Sequence, residues 1–231
     1  MARTVLITGG ARGLGEALVR DFETDHDVAL VWNRSAPQNL SGGVLALQGD
    51  LTEPGCCADI VAQVIARFGR LDVIVNNAGI VEMSPRDVFD GPAQRALLDV
   101  NLLAPSDLLA AALPHLTEGA SIVNISSVNA ILPPAGASIY GASKAALNLW
   151  TKAMAKELGP QGIRVDAVAP GAYEVAVKQR PDELLAAFVG MAALGRLGTA
   201  EDIAPVVRFL TSDAARFVTG EVVTVSGGYR L

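Results

Sequence analysis

Cysteine is almost missing from this chain: its 231 residues contain two, Cys56 and Cys57, side by side. Neighbouring cysteines rarely bridge one another, and no metal-ligand spacing surrounds them. A disulfide framework and a cysteine-built metal centre are therefore excluded, and no metal is expected. Basic charge is also in deficit. There are 18 Lys and Arg against 24 Asp and Glu, a formal net charge of −6, so the chain has no electrostatic footprint for nucleic acid. No apolar run reads as long enough to span a bilayer, and no signal-peptide pattern is evident, since Met1-Ala2-Arg3-Thr4 leads straight into an apolar strand. The expectation is a cytoplasmic protein with no membrane partner. Linkers, internal repeats and low-complexity tracts are lacking too, so residues 1–231 read as one domain.

What is present is apolar material in short runs. The chain is 51% hydrophobic and 18% charged, enough to bury a large core. Strand-length runs fall at Thr4–Thr8, Val28–Trp32, Val44–Gln48, Leu71–Val75, Ser121–Ile125, Arg164–Val168 and Glu221–Val225. Their continuous Val/Ile/Leu content suits strands buried on both faces. Helical candidates lie between them at Leu14–Phe22, Cys57–Phe68, Gln94–Leu116, Tyr140–Leu158 and Ile203–Leu210. This alternation predicts an α/β fold, a parallel seven-stranded sheet with helices on both faces. Residues 172–195 break the pattern with one short helical candidate, Pro181–Met191, and read as a lid over the ligand crevice.

The first strand runs into Thr8-Gly9-Gly10-Ala11-Arg12-Gly13-Leu14-Gly15 and then an amphipathic helix. Glycines at such a turn let backbone N–H groups approach a pyrophosphate, and the helix N-terminus adds a favourable dipole. Further on stand Asn76-Asn77-Ala78-Gly79, Asn101 in a Val-Asn-Leu context, Asn124-Ile125-Ser126-Ser127, Tyr140-Gly141-Ala142-Ser143-Lys144 and Pro170-Gly171. Tyr140 and Lys144 are four apart on a predicted helix and share a face. An ammonium beside a phenol favours the phenolate, which brings a group of ordinary pKa about 10 into use as an acid and base. Ser127 can hydrogen-bond a substrate oxygen. Taken singly, the Tyr-Lys pair suits a solvated helix face, Ser127 a turn and Asn101 a structural bond.

In this order and spacing the motifs resemble the short-chain dehydrogenase/reductase family, in its compact single-domain, 3-oxoacyl-reductase-like branch. The TGxxxGxG, NNAG and YxxxK patterns carry the resemblance, which continues through Gly195-Arg196-Leu197-Gly198 to Gly227-Gly228. It implies a Rossmann-type doubly wound sheet. It also implies a catalytic set of Asn101, Ser127, Tyr140 and Lys144, with Lys144 reaching the nicotinamide ribose and Asn101 anchoring water in a proton relay. The cofactor would lie on Gly9, Arg12, Gly13, Leu14 and Gly15. Asp50 and Leu51 would meet the adenine, Asn77, Ala78 and Gly79 the adenosine side, and the backbone from Pro170 and Gly171 to Tyr173 the nicotinamide amide. Asp50 reads equally well as a helix N-cap, and the two roles are compatible.

NAD-selective relatives place an acidic residue at the end of the second strand. Here Asn33 takes that position, Arg34 follows, and Arg12 sits in the glycine loop. Two guanidinium groups suit a 2′-phosphate, so NADP(H) is expected ahead of NAD(H). Both arginines are also compatible with simple solvation. Three departures from the family pattern stand out. Val175 replaces a threonine, the helix after the second strand is absent or reduced to a turn, and Ser226 stands where aspartate is common.

The substrate side offers Val81, Met83, Val128, Asn129, Ala130 and Tyr173, which suits a ketone or secondary alcohol of moderate size. A pterin-type reductase is an alternative, faintly suggested by the shortened post-strand helix and the Gly227-Gly228-Tyr229 ending. A non-catalytic dinucleotide-binding sensor or structural subunit is another, set against the presence of both Tyr140 and Lys144. A sugar epimerase or dehydratase on a related fold would need a larger C-terminal region. The resemblance implies a homotetramer, and Leu147, Leu149, Trp150 and Met154 put apolar surface on several sides of one helix.

Overall fold

The computed structural model describes residues 2–174 and 181–229. Seven strands form one sheet: β1 (Thr4–Thr8), β2 (Asp27–Trp32), β3 (Leu45–Gln48), β4 (Val73–Asn76), β5 (Ser121–Ile125), β6 (Arg164–Pro170) and β7 (Val222–Val225). Their order is β3-β2-β1-β4-β5-β6-β7, and every pairing is parallel. The order reverses between β1 and β4, which opens a crevice at the C-terminal ends of those strands. This is the Rossmann-type doubly wound architecture expected from the alternation.

The helices are α1 (Gly13–Phe22), α2 (Cys56–Phe68), α3 (Gly91–Leu98), α4 (Ala104–Ala112), α5 (Ser138–Leu158), α6 (Asp182–Met191) and α7 (Ala200–Thr211). Alternate residues of each strand feed two cores. Leu6, Ala29, Ile74, Ile122 and Val165 face α2, α4 and α5 through Ile60, Val64, Leu108 and Leu158. Val5, Ile7, Leu30, Val75 and Val123 face α1 and α7 through Leu18, Phe22, Val207 and Leu210. Fully burying a side chain of this size contributes about 1.5–3 kcal/mol, so both faces of the central strands are strongly specified. That is why these strands read as unbroken apolar runs.

Several boundaries move. β3 begins at Leu45 rather than Val44, β4 at Val73 rather than Leu71, and β6 continues to Pro170. The helix expected over Gln94–Leu116 is not uniform: α3 passes into a π-helical turn at Asp99–Leu103, then α4, then a 3-10 turn at Leu113–His115. One sequence expectation needs correction here. The continuous run Gly91–His115 is long and apolar enough, by length and composition, to cross a membrane. In the fold, however, its pieces pack against α2 and α5, and its buried residues include Leu97, Asn101 and Leu108. No helix occupies the segment between β2 and β3, as expected, and its residues are largely exposed.

Candidate active site

The functional candidates collect where the strands end. Thr8 closes β1, and its hydroxyl accepts from the Asn77 amide at 3.0 Å and the Ala78 amide at 2.9 Å. The Asn77 side chain answers by donating to the carbonyls of Thr8 and Gly9, both at 3.0 Å. β1 and β4 are thus laced together across the switch point. Gly9 takes φ +66°, and a Cβ built on Gly15 would stand 2.1 Å from the Gly9 carbonyl oxygen. That contact can be relieved only by moving backbone, so glycine is required at Gly15. Gly13 opens α1 at φ +57° with no heavy atom within 4 Å of its would-be Cβ. Arg12 is the N-cap, extended and making no side-chain cap, so the first-turn N–H groups of α1 lack a side-chain acceptor there. Leu14 turns into the core.

At the ends of β2 and β3, the Asn33 side-chain amide donates to Asp50 at 2.9 Å, and Gln48 donates to the Asn33 carbonyl. Asp50 also accepts from the Thr52 amide and hydroxyl at 3.0 and 2.7 Å. It therefore caps a turn and is not the N-cap of α2, a place held by Gly55 at φ +83°. The Thr52 donors, then Asn33 and the positive charge of Arg34, hold its carboxyl below the ordinary aspartate value against the opposing effect of burial. Arg12, Asn33 and Arg34 are exposed, and Leu51 is half-buried.

β5 delivers Ser127 and α5 delivers Tyr140 and Lys144, all three buried. Ser127 caps the 3-10 turn Val128–Ala130, accepting from the Asn129 amide at 3.1 Å. Burial pushes the Tyr140 phenol above its ordinary pKa, and hydrogen bonding from Ser127 opposes that rise. The Lys144 ammonium donates to the Ile125 carbonyl at 2.8 Å, and burial lowers its pKa to about 8. The expectation that the lysine brings the phenol down is thus not met. Desolvation dominates both groups, and the ammonium is directed at a backbone carbonyl.

Asn101 lies on the π-helical turn with its side chain committed. Its Oδ1 accepts from the Ile80 amide at 2.9 Å, while its Nδ2 donates to the Ile80 carbonyl at 3.0 Å and to the Ser143 hydroxyl at 3.1 Å. Any water it anchors is left to its backbone. Pro105, four residues on, has no N–H to offer the Asn101 carbonyl. Such interruptions of the helical ladder recur at functional sites, and the Asn101–Pro105 spacing was the sequence signal for it.

A cavity of about 260 Å³ connects these groups. Ser127, Tyr140 and Lys144 share its wall with Asn77, Gly79, Pro170, Gly171 and Tyr173. Of the substrate-side candidates, Val81, Val128, Asn129 and Tyr173 line it. Met83 is exposed and faces Gly136, and neither it nor Ala130 is in the lining. Phe188 and Tyr229 line it unforeseen. Their signals were the short helix inside 172–195 and the aromatic residue directly after Gly227-Gly228. Also unforeseen is a buried polar chain beneath the site, in which Asn76 donates to Asn124 at 2.8 Å and Asn124 to Thr151 at 2.9 Å. Gly171 is closed off by Ser226, whose Cβ would lie 2.7 Å from an added methyl. Ser226 accepts from the Tyr229 amide at 3.2 Å, a structural use of that position. Val175 lies outside the described residues.

Comparison with known proteins agrees with this geometry. A family model described as enoyl-(acyl carrier protein) reductase matches residues 9–230. The 3-oxoacyl-[acyl-carrier-protein] reductase of Thermotoga maritima is 33% identical, over 98% of this chain and 97% of that protein. The 3beta-hydroxysteroid dehydrogenase 1 of Eggerthella lenta is also 33% identical, over 99% of this chain and 94% of its own length. Among solved structures, a short chain dehydrogenase from Burkholderia cenocepacia in complex with NADP superposes with a TM-score of 0.94 at 35% identity, covering 99% of this chain and 98% of that one. With its parallel sheet, its glycine turn and its serine, tyrosine and lysine in one cavity, this chain belongs to the short-chain dehydrogenase/reductase family of oxidoreductases.

Proposed function

We propose that the protein is an NADP(H)-dependent oxidoreductase interconverting a ketone and a secondary alcohol, with Tyr140 as the proton donor and acceptor. The observation that carries this reading is the meeting of the buried side chains of Ser127, Tyr140 and Lys144 on one cavity at the switch-point edge of the sheet. The residues fit a dinucleotide: Gly13 leaves open space, Gly15 admits no side chain, and α1 begins without a side-chain cap. Gly9, Arg12, Gly13, Leu14 and Gly15 would hold the pyrophosphate, Asp50 and Leu51 the adenine, and Asn77, Ala78 and Gly79 the adenosine. Arg12 and Arg34, beside the uncharged Asn33, would take the 2′-phosphate, and Pro170, Gly171 and Tyr173 the nicotinamide amide. Bound there, the cofactor supplies or takes up a hydride. Ser127 holds the substrate oxygen near the phenol, Tyr140 gives or receives the proton at that oxygen, and Lys144 holds positive charge beneath it. Asn101 positions the Ile80 backbone and Ser143, and so the floor beside Lys144.

The described parts of the segment 172–195, α6 among them, would serve as a lid over the cavity that Tyr173 and Phe188 line; residues 175–180 lie outside the described residues. The apolar Leu149, 70% exposed, together with exposed Leu103, Phe209 and Phe217, supports assembly into a homotetramer. The cytoplasm is the proposed compartment.

The test is fluorescence titration with NADPH and NADH, followed by turnover of a ketone panel that includes an enoyl thioester. Tight NADPH binding and ketone reduction support the reading. Preference for NADH removes the assignment of Arg12 and Arg34, reduction of the enoyl thioester alone removes the ketone, and binding of neither cofactor removes the oxidoreductase. Light scattering reads the assembly, which a monomer contradicts.

A further inference from the structure

The walls of the cavity differ in kind. Ser127, Tyr140 and Lys144 bring the polar atoms, while Phe188 from α6 and Tyr229 from the C-terminal segment bring rings. These two rings stand edge to face, their centroids 6.2 Å apart and their planes at 64°, the arrangement that aromatic quadrupoles favour.

The pair is built by the backbone. Gly227 and Gly228, at φ +61° and +73°, turn the chain after β7 so that Tyr229 comes back toward the cavity. Gly227 accepts from the Leu194 amide at 2.9 Å and Gly228 from the Ala193 amide at 3.3 Å. Ala192 and Tyr229 form an antiparallel bridge. Ala192 follows the last residue of α6 and lies one turn beyond Phe188, so the stretch carrying one ring is hydrogen-bonded to the stretch carrying the other. The lining residues include no carboxylate and no guanidinium among the described residues, and Lys144 is the sole charged side chain there.

We propose that Phe188 and Tyr229 set the substrate class, selecting neutral, ring-bearing ketones and their secondary alcohols over linear ones. A rigid ring meets a preformed aromatic wall with little loss of internal freedom, whereas a linear chain must freeze several rotors to lie against the same surface. The inference rests on the oxidoreductase reading and names the substrate of the same site.

The test compares two methyl ketones of equal carbon number, cyclohexyl methyl ketone and 2-octanone, in NADPH-dependent reduction. Wild type favours the ring-bearing ketone in kcat/KM by about tenfold or more, the scale of discrimination that an apolar pocket supplies. Phe188→Ala, Phe188→Leu and Tyr229→Ala each lower that ratio by about tenfold, chiefly through KM, and Phe188→Tyr restores it. NADPH titration of each variant reports whether the fold is intact, and Phe188→Leu keeps bulk without a ring if the alanine variant fails to fold. Equal losses on both ketones would mean the pair is merely structural and overturn the proposal. Wild-type activity without preference for the ring overturns it too and leaves the oxidoreductase standing. Turnover of no carbonyl compound with either cofactor removes the oxidoreductase reading and this inference with it.

Discussion

Lys144 and Tyr140 lie one turn apart on α5, yet the ammonium donates to the Ile125 carbonyl at 2.8 Å, and burial moves the pKa values of the two groups in opposite directions. The phenol rises and the ammonium falls to about 8. Burial of both side chains sets the direction of each shift, so the protonation of Lys144 is sensitive to any change in its surroundings.

The first prediction concerns pH and stability. The Lys144 pKa is about 8 in the fold against an ordinary 10.5, so between those values the unfolded chain binds the extra proton. Stability contributed by this group therefore rises with pH across that window. Below pH 8 the protein bears the full cost of a buried charge, on the order of 3 kcal/mol. Lys144→Met removes that cost. The stability difference between variant and wild type, measured by urea unfolding, narrows as pH rises from 8 to 10.5. A difference independent of pH contradicts this.

A second prediction follows from the lacing of β1 to β4. Thr8→Val keeps the shape but leaves the Asn77 and Ala78 amides without the hydroxyl that accepts from both. An unsatisfied buried amide costs about 1–3 kcal/mol; these two residues are half-buried, so a loss on the order of 1–2 kcal/mol is expected in urea unfolding. NADPH affinity falls with it. Thr8→Ser, which keeps the oxygen, stays near wild type.

The third concerns cofactor choice. Arg34 lies close enough to Asp50 to lower its carboxyl pKa, at the end of β2 where a ribose 2′-substituent is expected. Arg34→Asp is expected to weaken NADPH binding about ten- to a hundredfold, the worth of a charge-assisted hydrogen bond, and to leave NADH binding within about threefold. Unchanged NADPH affinity removes Arg34 from the 2′-phosphate site.

Much of this was legible because burial on both faces leaves an unmistakable record. Val5, Leu6 and Ile7 are fully enclosed, and such runs mark parallel strands without help from periodicity. The motif residues of the first, fourth and fifth strands come together because each follows a strand end on the same edge of the sheet. The misses have physical causes too. The π-helical turn at Asn101 depends on a proline four residues later, within a run whose composition is simply helical. Asp50 looked like a helix cap because Asp often is one, whereas α2 starts six residues later at Cys56. Phe188 and Tyr229 lie 41 positions apart in the sequence, and only the pairing of 192–194 with 227–229 brings them together. The fall of the Lys144 pKa was hidden because complete burial of a lysine cannot be read from its spacing to a tyrosine.

A fourth prediction tests the glycine turn. Gly15→Ala puts a methyl group 2.1 Å from the Gly9 carbonyl oxygen, so the β1–α1 turn must shift. NADPH affinity is expected to fall at least tenfold, while the far-UV circular dichroism spectrum stays that of an α/β protein. Unaltered affinity would show that the turn does not hold the cofactor.

The most direct measurement is Tyr140→Phe, assayed for NADPH binding by fluorescence and for ketone reduction by the loss of NADPH absorbance. The account predicts binding within about threefold of wild type and a fall in kcat of about a hundredfold or more, the scale of a lost general acid. Reduction at near wild-type rate by the phenylalanine variant would contradict it, because the proton would then come from another group.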